Sequence, residues 1–232
     1  NKDLCPFVIG FHGGEGTPEI VSSIYKDSAN YNNLVRRLTD MGVNVFAPQL
    51  LLWDEKEFGD SYNRLNIDGK LRQLGGSITA LELYLIENII DYFIDKEKIN
   101  PEKIGAAGMS YGGMYSLFIS AIDTRIKSCY SSSWVEDSFN ISWPDWSYKN
   151  AAKMFTSSEI GGIVAPRGLI VEMGDKDELF DYHKTIETCN NIKKFYKEFN
   201  LINNFRSIIF HGNHEVDKNE EGLEYFYSIL NK

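Results

Sequence analysis

Only three cysteines occur among the 232 residues. Cys5, Cys129 and Cys189 form no CxxC pair, so a disulfide framework is not expected. Cys5 and Cys129, in or beside apolar runs, read as small core residues. Long hydrophobic runs are missing too: no stretch of about 18 apolar residues exists to span a bilayer. Positive charge is in deficit. With 24 Lys and Arg against 33 Asp and Glu, the net charge is -9, which argues against nucleic acid or an anionic membrane as partner. The chain opens at Asn1 with neither Met nor a signal-like segment. The reading is a trimmed start or a removed leader, with the cytoplasm as the expected compartment. Internal repeats, low-complexity tracts and linkers are absent as well. At 43% hydrophobic residues, a chain of this length can bury a full core, and one domain over 1–232 is expected.

Apolar runs of strand length alternate with longer helical patterns. Strands are predicted at Phe7–Phe11, Asn44–Ala47, Ile104–Ala107, Ile126–Tyr130, Leu169–Met173 and Arg206–Phe210. Helices are predicted at Tyr31–Met41, Ser77–Asp95, Gly113–Ile122, Asp181–Phe199 and Glu220–Leu230. In the second helix Leu81, Leu85, Ile89 and Tyr92 recur at helical spacing and Glu82, Glu87 and Asp91 fall elsewhere, which predicts the first set as the buried face. Strands alternating with helices predict an α/β fold: a mostly parallel sheet of about six strands, covered on both faces. Residues 132–160, with three Trp, many Ser and little strand signal, read as a lid-like or pocket-wall insertion.

Gly108-Met109-Ser110-Tyr111-Gly112 lies between a predicted strand and a predicted helix. G-x-S-x-G in that setting is a nucleophile elbow, a turn tight enough to require glycines beside the serine and to hold its hydroxyl out into a site. In parallel sheets ligands bind beyond the carboxyl ends of the strands, and three more segments fall there. His12-Gly13-Gly14-Glu15-Gly16 follows the first strand; amides of Gly13 or Gly14, with that of Tyr111, suit an oxyanion hole. Gly174-Asp175-Lys176-Asp177 follows the fifth, with Asp177 preferred over Asp175 as the acid that orients a histidine. His211-Gly212-Asn213-His214 follows the last. His214 is the expected base for Ser110, in the order Ser, acid, His, and His211 is expected to be structural. His12 reads as shaping its loop and lies where it can touch substrate, and His183 reads as a surface residue. Trp134 is a candidate pocket wall; Trp143 and Trp146 either stack on a sugar ring or pin the insertion. No metal or organic cofactor is required, since histidines at i and i+3 without a third ligand make a poor zinc site.

Across nearly its whole length the chain resembles the α/β-hydrolase superfamily, and more narrowly its dienelactone-hydrolase-like and acetyl-xylan-esterase-like branch. Gly108-Met109-Ser110-Tyr111-Gly112-Gly113, Trp143-Pro144-Asp145-Trp146-Ser147, Ile163–Leu169, Gly174-Asp175-Lys176-Asp177 and Gly212-Asn213-His214-Glu215 carry the resemblance. It implies Ser110, Asp177 and His214 as a triad, Tyr111 as one oxyanion amide, and hydrolysis of a small-molecule ester, short-acyl or acetyl. Two departures stand out. Pro48-Gln49 occupies the place where many relatives have Pro-Asp, and the antiparallel strands with which relatives begin are missing or cut away. The sheet edge so exposed points to a homo-oligomer. Competing readings are a prolyl-oligopeptidase-type peptidase, against which stands the missing propeller, and a hydrolase fold kept as a binding protein. Ser rather than Asp at the elbow disfavours a dehalogenase.

Overall fold

The structure, a computed structural model, describes residues 5–24, 28–51, 64–141, 143, 145 and 151–232. Six strands form one sheet: β1 (Phe7–Phe11), β2 (Asn44–Phe46), β3 (Ile104–Met109), β4 (Ile126–Ser132), β5 (Gly168–Gly174) and β6 (Phe205–Phe210). All pairings are parallel, in the order β2-β1-β3-β4-β5-β6. β1, β3 and β5 are buried at every position. That is why they read as unbroken apolar runs rather than as alternating strands. Alternation shows instead in which side each residue serves. Phe7, Ile9 and Phe11 pack into one core layer, and Val8 into the other.

The helices are α1 (Pro18–Val21), α2 (Leu34–Asp40), α3 (Arg64–Gln73), α4 (Ile78–Tyr92), α5 (Tyr111–Ile122), α6 (Ala151–Met154), α7 (Ser157–Ile163), α8 (Tyr182–Glu198) and α9 (Glu221–Leu230). One core layer takes Leu83, Ile86 and Ile90 of α4, Met114 and Leu117 of α5, and Ile192 of α8. The opposite layer takes Leu34 and Leu38 of α2 and Leu223 and Phe226 of α9. Both faces of the sheet are thus covered, as expected. α1, α3, α6 and α7 carried no sequence prediction.

The face assigned to α4 is corrected. Leu81, Leu85 and Tyr92 are exposed, whereas Ile78, Glu82, Leu83, Ile86 and Ile90 are buried. Glu82 turns inward because Arg64 and the Leu51 amide meet its carboxylate at 3.0 and 2.7 Å. A charge paired in this way can be buried, and the helix rotates accordingly.

Register aligns the carboxyl ends. Phe11 pairs with Gly108, Met109 with Ser132, and Gly174 with Phe210. The segments beginning at His12, Ser110, Asp175 and His211 therefore leave the sheet on one rim, as the sequence predicted. Within the expected insertion, Ser142, Pro144 and residues 146–150, Trp146 among them, lie outside the described residues.

Candidate active site

Ser110 sits between β3 and α5 with φ 59° and ψ -123°. A non-glycine residue in that region is strained and persists only where its surroundings hold it. The grip comes from close packing: a Cβ on Gly108 would overlap the Gly112 backbone, and one on Gly112 would overlap the Phe11 carbonyl oxygen. The Ser110 amide donates to the Ser132 carbonyl at 2.9 Å, and its carbonyl accepts from Met114 at 3.0 Å. The serine is thus locked at the start of α5, with Tyr111 as the first helical residue.

Asp177 and His214 meet across the rim. Nδ1 of His214 donates to Oδ2 of Asp177 at 2.8 Å, and Oδ1 of Asp177 accepts the amides of Leu179 and Phe180 at 2.9 and 3.1 Å. The Asp177 side chain is 0% exposed and that of His214 16%, so the pair is shielded while the imidazole still reaches the site. The Phe180 ring stacks on His214 at 5.7 Å, and Trp143 stacks on Phe180 at 5.7 Å. Ser110, His214, Tyr111, Gly14, Phe180 and Trp143 all line one cavity of about 510 Å³. Asp175 goes elsewhere. It binds Nδ1 of His211 at 3.0 Å and the Gly212 amide at 3.2 Å, and the His211 side chain is 75% exposed.

Two expectations at the site are corrected and a third is narrowed. His12 is 0% exposed and lies outside the cavity lining. Its Nδ1 donates to the Gly13 carbonyl at 2.8 Å, and its Nε2 accepts the Leu50 amide at 2.9 Å. Burial lowers its pKa to about 4, so it is a neutral strut between two loops rather than a substrate contact. That strut anchors the loop after β2, to which Pro48-Gln49 belongs. Trp134 is 2% exposed, packs edge-on against Phe118 at 5.8 Å, and also lies outside the lining. Large and apolar, it fills the core beneath the rim. The Gly13 amide, one of the two offered for an oxyanion hole, donates to the Tyr31 hydroxyl at 2.6 Å, which leaves the Gly14 alternative. Gly13, Gly14 and Tyr111 all line the cavity, but of the two glycine amides only that of Gly14 is not given to Tyr31. Among the described residues no group of three or more His, Cys, Asp or Glu is placed to hold a metal.

Several wall residues escaped sequence reasoning, Tyr31, Arg64 and Phe180 above all. Arg64 lines the cavity at the centre of a buried cluster. Its Nε donates to Asp145 at 2.7 Å, Nη1 to Glu82 at 3.0 Å and Nη2 to the Tyr115 hydroxyl at 2.9 Å. The Tyr111 hydroxyl donates to both Asp145 oxygens at 2.9 Å. Burial pushes the Tyr111 phenol well above its ordinary range, and the Asp145 charge adds to that. Asp145 lies in the Trp143–Ser147 stretch that carries the resemblance but was given no role there, and nothing local flagged Arg64, whose partners are distant in sequence.

The loop bearing His214 rests on Glu172 of β5. Oε1 of Glu172 accepts the Asp217 amide at 2.9 Å, and burial raises the carboxyl pKa to about 7 from 4.5. An unfolded Glu has lost its proton between those two values while the folded one keeps it. The contribution is therefore fully present below pH 4.5 and is lost as pH rises through 7. Glu172→Gln removes the titration yet keeps an acceptor for Asp217. Urea unfolding at pH 4.5 and pH 8 is expected to show the variant gaining on wild type by about 3 kcal/mol at the higher pH. A difference that stays constant with pH counts against a neutral Glu172.

An all-parallel sheet with helices on both faces, a serine at a strand–helix elbow, and an acid and a histidine on later loops of the same rim define the α/β-hydrolase fold. The chain is 27% identical over 191 residues to "Putative hydrolase YtaP" of Bacillus subtilis (strain 168), an alignment covering 75% of this chain and 61% of that protein. A glucuronoyl esterase from Solibacter usitatus superposes with a TM-score of 0.71 at 14% identity, over 99% of this chain and 74% of that one. A "putative acetyl xylan esterase" from Bacteroides fragilis NCTC 9343 gives 0.67 at 16% identity, over 90% and 60%. No protein-family model matches the chain. The likeness to these structures is one of fold, and it agrees with the resemblance read from the sequence. Among the described residues no helix is long and apolar enough to cross a membrane.

Proposed function

We propose that the chain is a serine hydrolase that cleaves carboxylic esters through an acyl-enzyme on Ser110. The observation that carries this reading is the shielded Asp177–His214 pair, whose imidazole lines the same cavity as a strained elbow serine. A serine hydroxyl needs a base to become a nucleophile. With Nδ1–H held by Asp177, His214 presents Nε2 as the acceptor for the Ser110 proton. Ser110 Oγ then attacks the ester carbonyl, and the amides of Gly14 and Tyr111 stabilise the oxyanion. His214 returns the proton to the departing alcohol. Water, deprotonated by the same imidazole, releases the acid and restores Ser110.

The esterases among similar structures support an ester rather than a peptide bond, and the Trp143–Phe180 wall suits an apolar face such as the C–H face of a sugar ring. Short-acyl esters, sugar acetates among them, are the proposed substrates. The test is labelling by a fluorophosphonate probe together with turnover of a panel of acetyl esters. Labelling and turnover are expected in wild type, absent in Ser110→Ala and strongly reduced in His214→Ala. A folded wild type that takes up no probe and turns over no ester overturns the reading in favour of a binding protein.

A further inference from the structure

The Gly13 amide is occupied by Tyr31, and this gives Tyr31 a role. A phenol has one proton to donate and lone pairs to accept. Tyr31 accepts from Gly13 N–H at 2.6 Å, which directs its own proton away from that amide, and among the described residues that proton has no protein acceptor. The residue is 3% exposed, yet it lines the cavity with Ser110, Tyr111 and His214. A point one Cβ out from Gly13 lies 3.2 Å from both Tyr31 Oη and Ser110 Cβ, so hydroxyl and nucleophile flank the same small space.

The loop is built around this hydroxyl. A Cβ on Gly16 would overlap Tyr31 Oη, so glycine there leaves its place open. The flanking residues tie Tyr31 to the histidine loop: Asn30 Nδ2 donates to the His214 carbonyl at 3.2 Å and the Asn30 carbonyl accepts from Val216 at 2.8 Å. Asn32 Nδ2 donates to Glu215 and to the Val216 carbonyl at 2.9 and 2.6 Å. The phenol is thereby fixed relative to both the oxyanion loop and the base before substrate arrives.

We propose that the Tyr31 hydroxyl is an oxyanion-hole donor, taking the place expected of the Gly13 amide and acting with the amides of Gly14 and Tyr111. The inference rests on the serine-hydrolase reading above. No proton is transferred. The phenol O–H shortens its hydrogen bond to the carbonyl oxygen as that oxygen becomes negative, and the Gly13 N–H on its lone pair polarises the O–H toward the substrate. Burial pushes the phenol up to about 12, so it keeps its proton over the range in which esterases are assayed. A donor of this kind serves the transition state more than the ground state, and its loss falls on kcat rather than KM.

The experiment compares wild type, Tyr31→Phe and Ser110→Ala on p-nitrophenyl acetate, with inhibition by an aryl trifluoromethyl ketone, whose adduct on Ser110 carries the oxyanion. Tyr31→Phe is expected to lower kcat about 100- to 1,000-fold with KM little changed, and to weaken the trifluoromethyl ketone in parallel. Difluorotyrosine placed at position 31 keeps the shape and the Gly13 contact but ionises more easily. It is expected to add an alkaline loss of kcat that wild type lacks, and this arm decides the matter if the Phe variant fails to fold. Ser110-dependent turnover that Tyr31→Phe leaves nearly unchanged, or a difluorotyrosine chain with the wild-type pH profile, overturns the role of Tyr31 alone. A wild type without Ser110-dependent turnover overturns the hydrolase reading and this role with it.

Discussion

Ser110→Ala and His214→Ala are each expected to lower kcat on an activated ester by about a million-fold, and the double variant no further. The two groups act as one unit: without the base the hydroxyl is a poor nucleophile, and without the hydroxyl the base has nothing to activate. Asp177→Asn is expected to cost less, about ten-thousand-fold. An amide in place of the carboxylate still fills the space at 2.8 Å from His214 Nδ1, but it favours the wrong tautomer and does not stabilise the imidazolium. Asp175→Asn is the control within the same loop. Its partner His211 is mostly exposed, and its loss is expected to leave kcat nearly unchanged. Steady-state kinetics of the four single variants and the Ser110/His214 double variant decide the matter. Equal losses at Asp175 and Asp177, or additive losses at Ser110 and His214, would sink this arrangement.

Much of this arrangement was legible in the sequence. The six strands were, because a parallel sheet buried on both faces leaves unbroken apolar runs. β1 was read at its observed bounds, β5 falls one residue short at each end, and the others differ by one or two residues at one end. The rim segments were legible because tight turns demand glycine and chemistry demands Ser, Asp and His beside it. Failures cluster where a partner is distant in the chain. The buried face of α4 was misread because its periodicity places Glu82 on the wrong side unless Arg64, 18 residues away, is known to meet it. Gly13 and Gly14 look alike as letters, and only the fold brings the Tyr31 hydroxyl onto one of them. His12 sits in a glycine-rich loop like a catalytic residue, yet both its nitrogens are spent on backbone groups that no side-chain pattern records.

Arg64→Met is expected to be the most damaging substitution for stability, lowering the unfolding free energy by about 3–5 kcal/mol. Glu82 and Asp145 have side chains only 5% and 2% exposed, and two carboxylates at that depth depend on the guanidinium between them. Arg64 also donates to the Leu51 carbonyl at 3.2 Å and lies over the Tyr111 ring at 5.6 Å, so a single side chain ties α3, α4, the first turn of α5, the Leu51 loop and Asp145 together. Arg64→Lys keeps a positive charge but supplies a point donor in place of a planar fork, and a smaller loss is expected. If the damage comes from uncompensated charge, neutralising a partner relieves it: Glu82→Gln in the Arg64→Met background is expected to recover part of the loss, although Glu82→Gln alone destabilises. Urea unfolding of the four chains of that cycle measures the coupling directly. Additive losses would mean that Arg64 serves only as packing. A large coupling would show that the cavity wall beside Ser110 is held up by buried charge, with Tyr111 positioned through Asp145 at its far end.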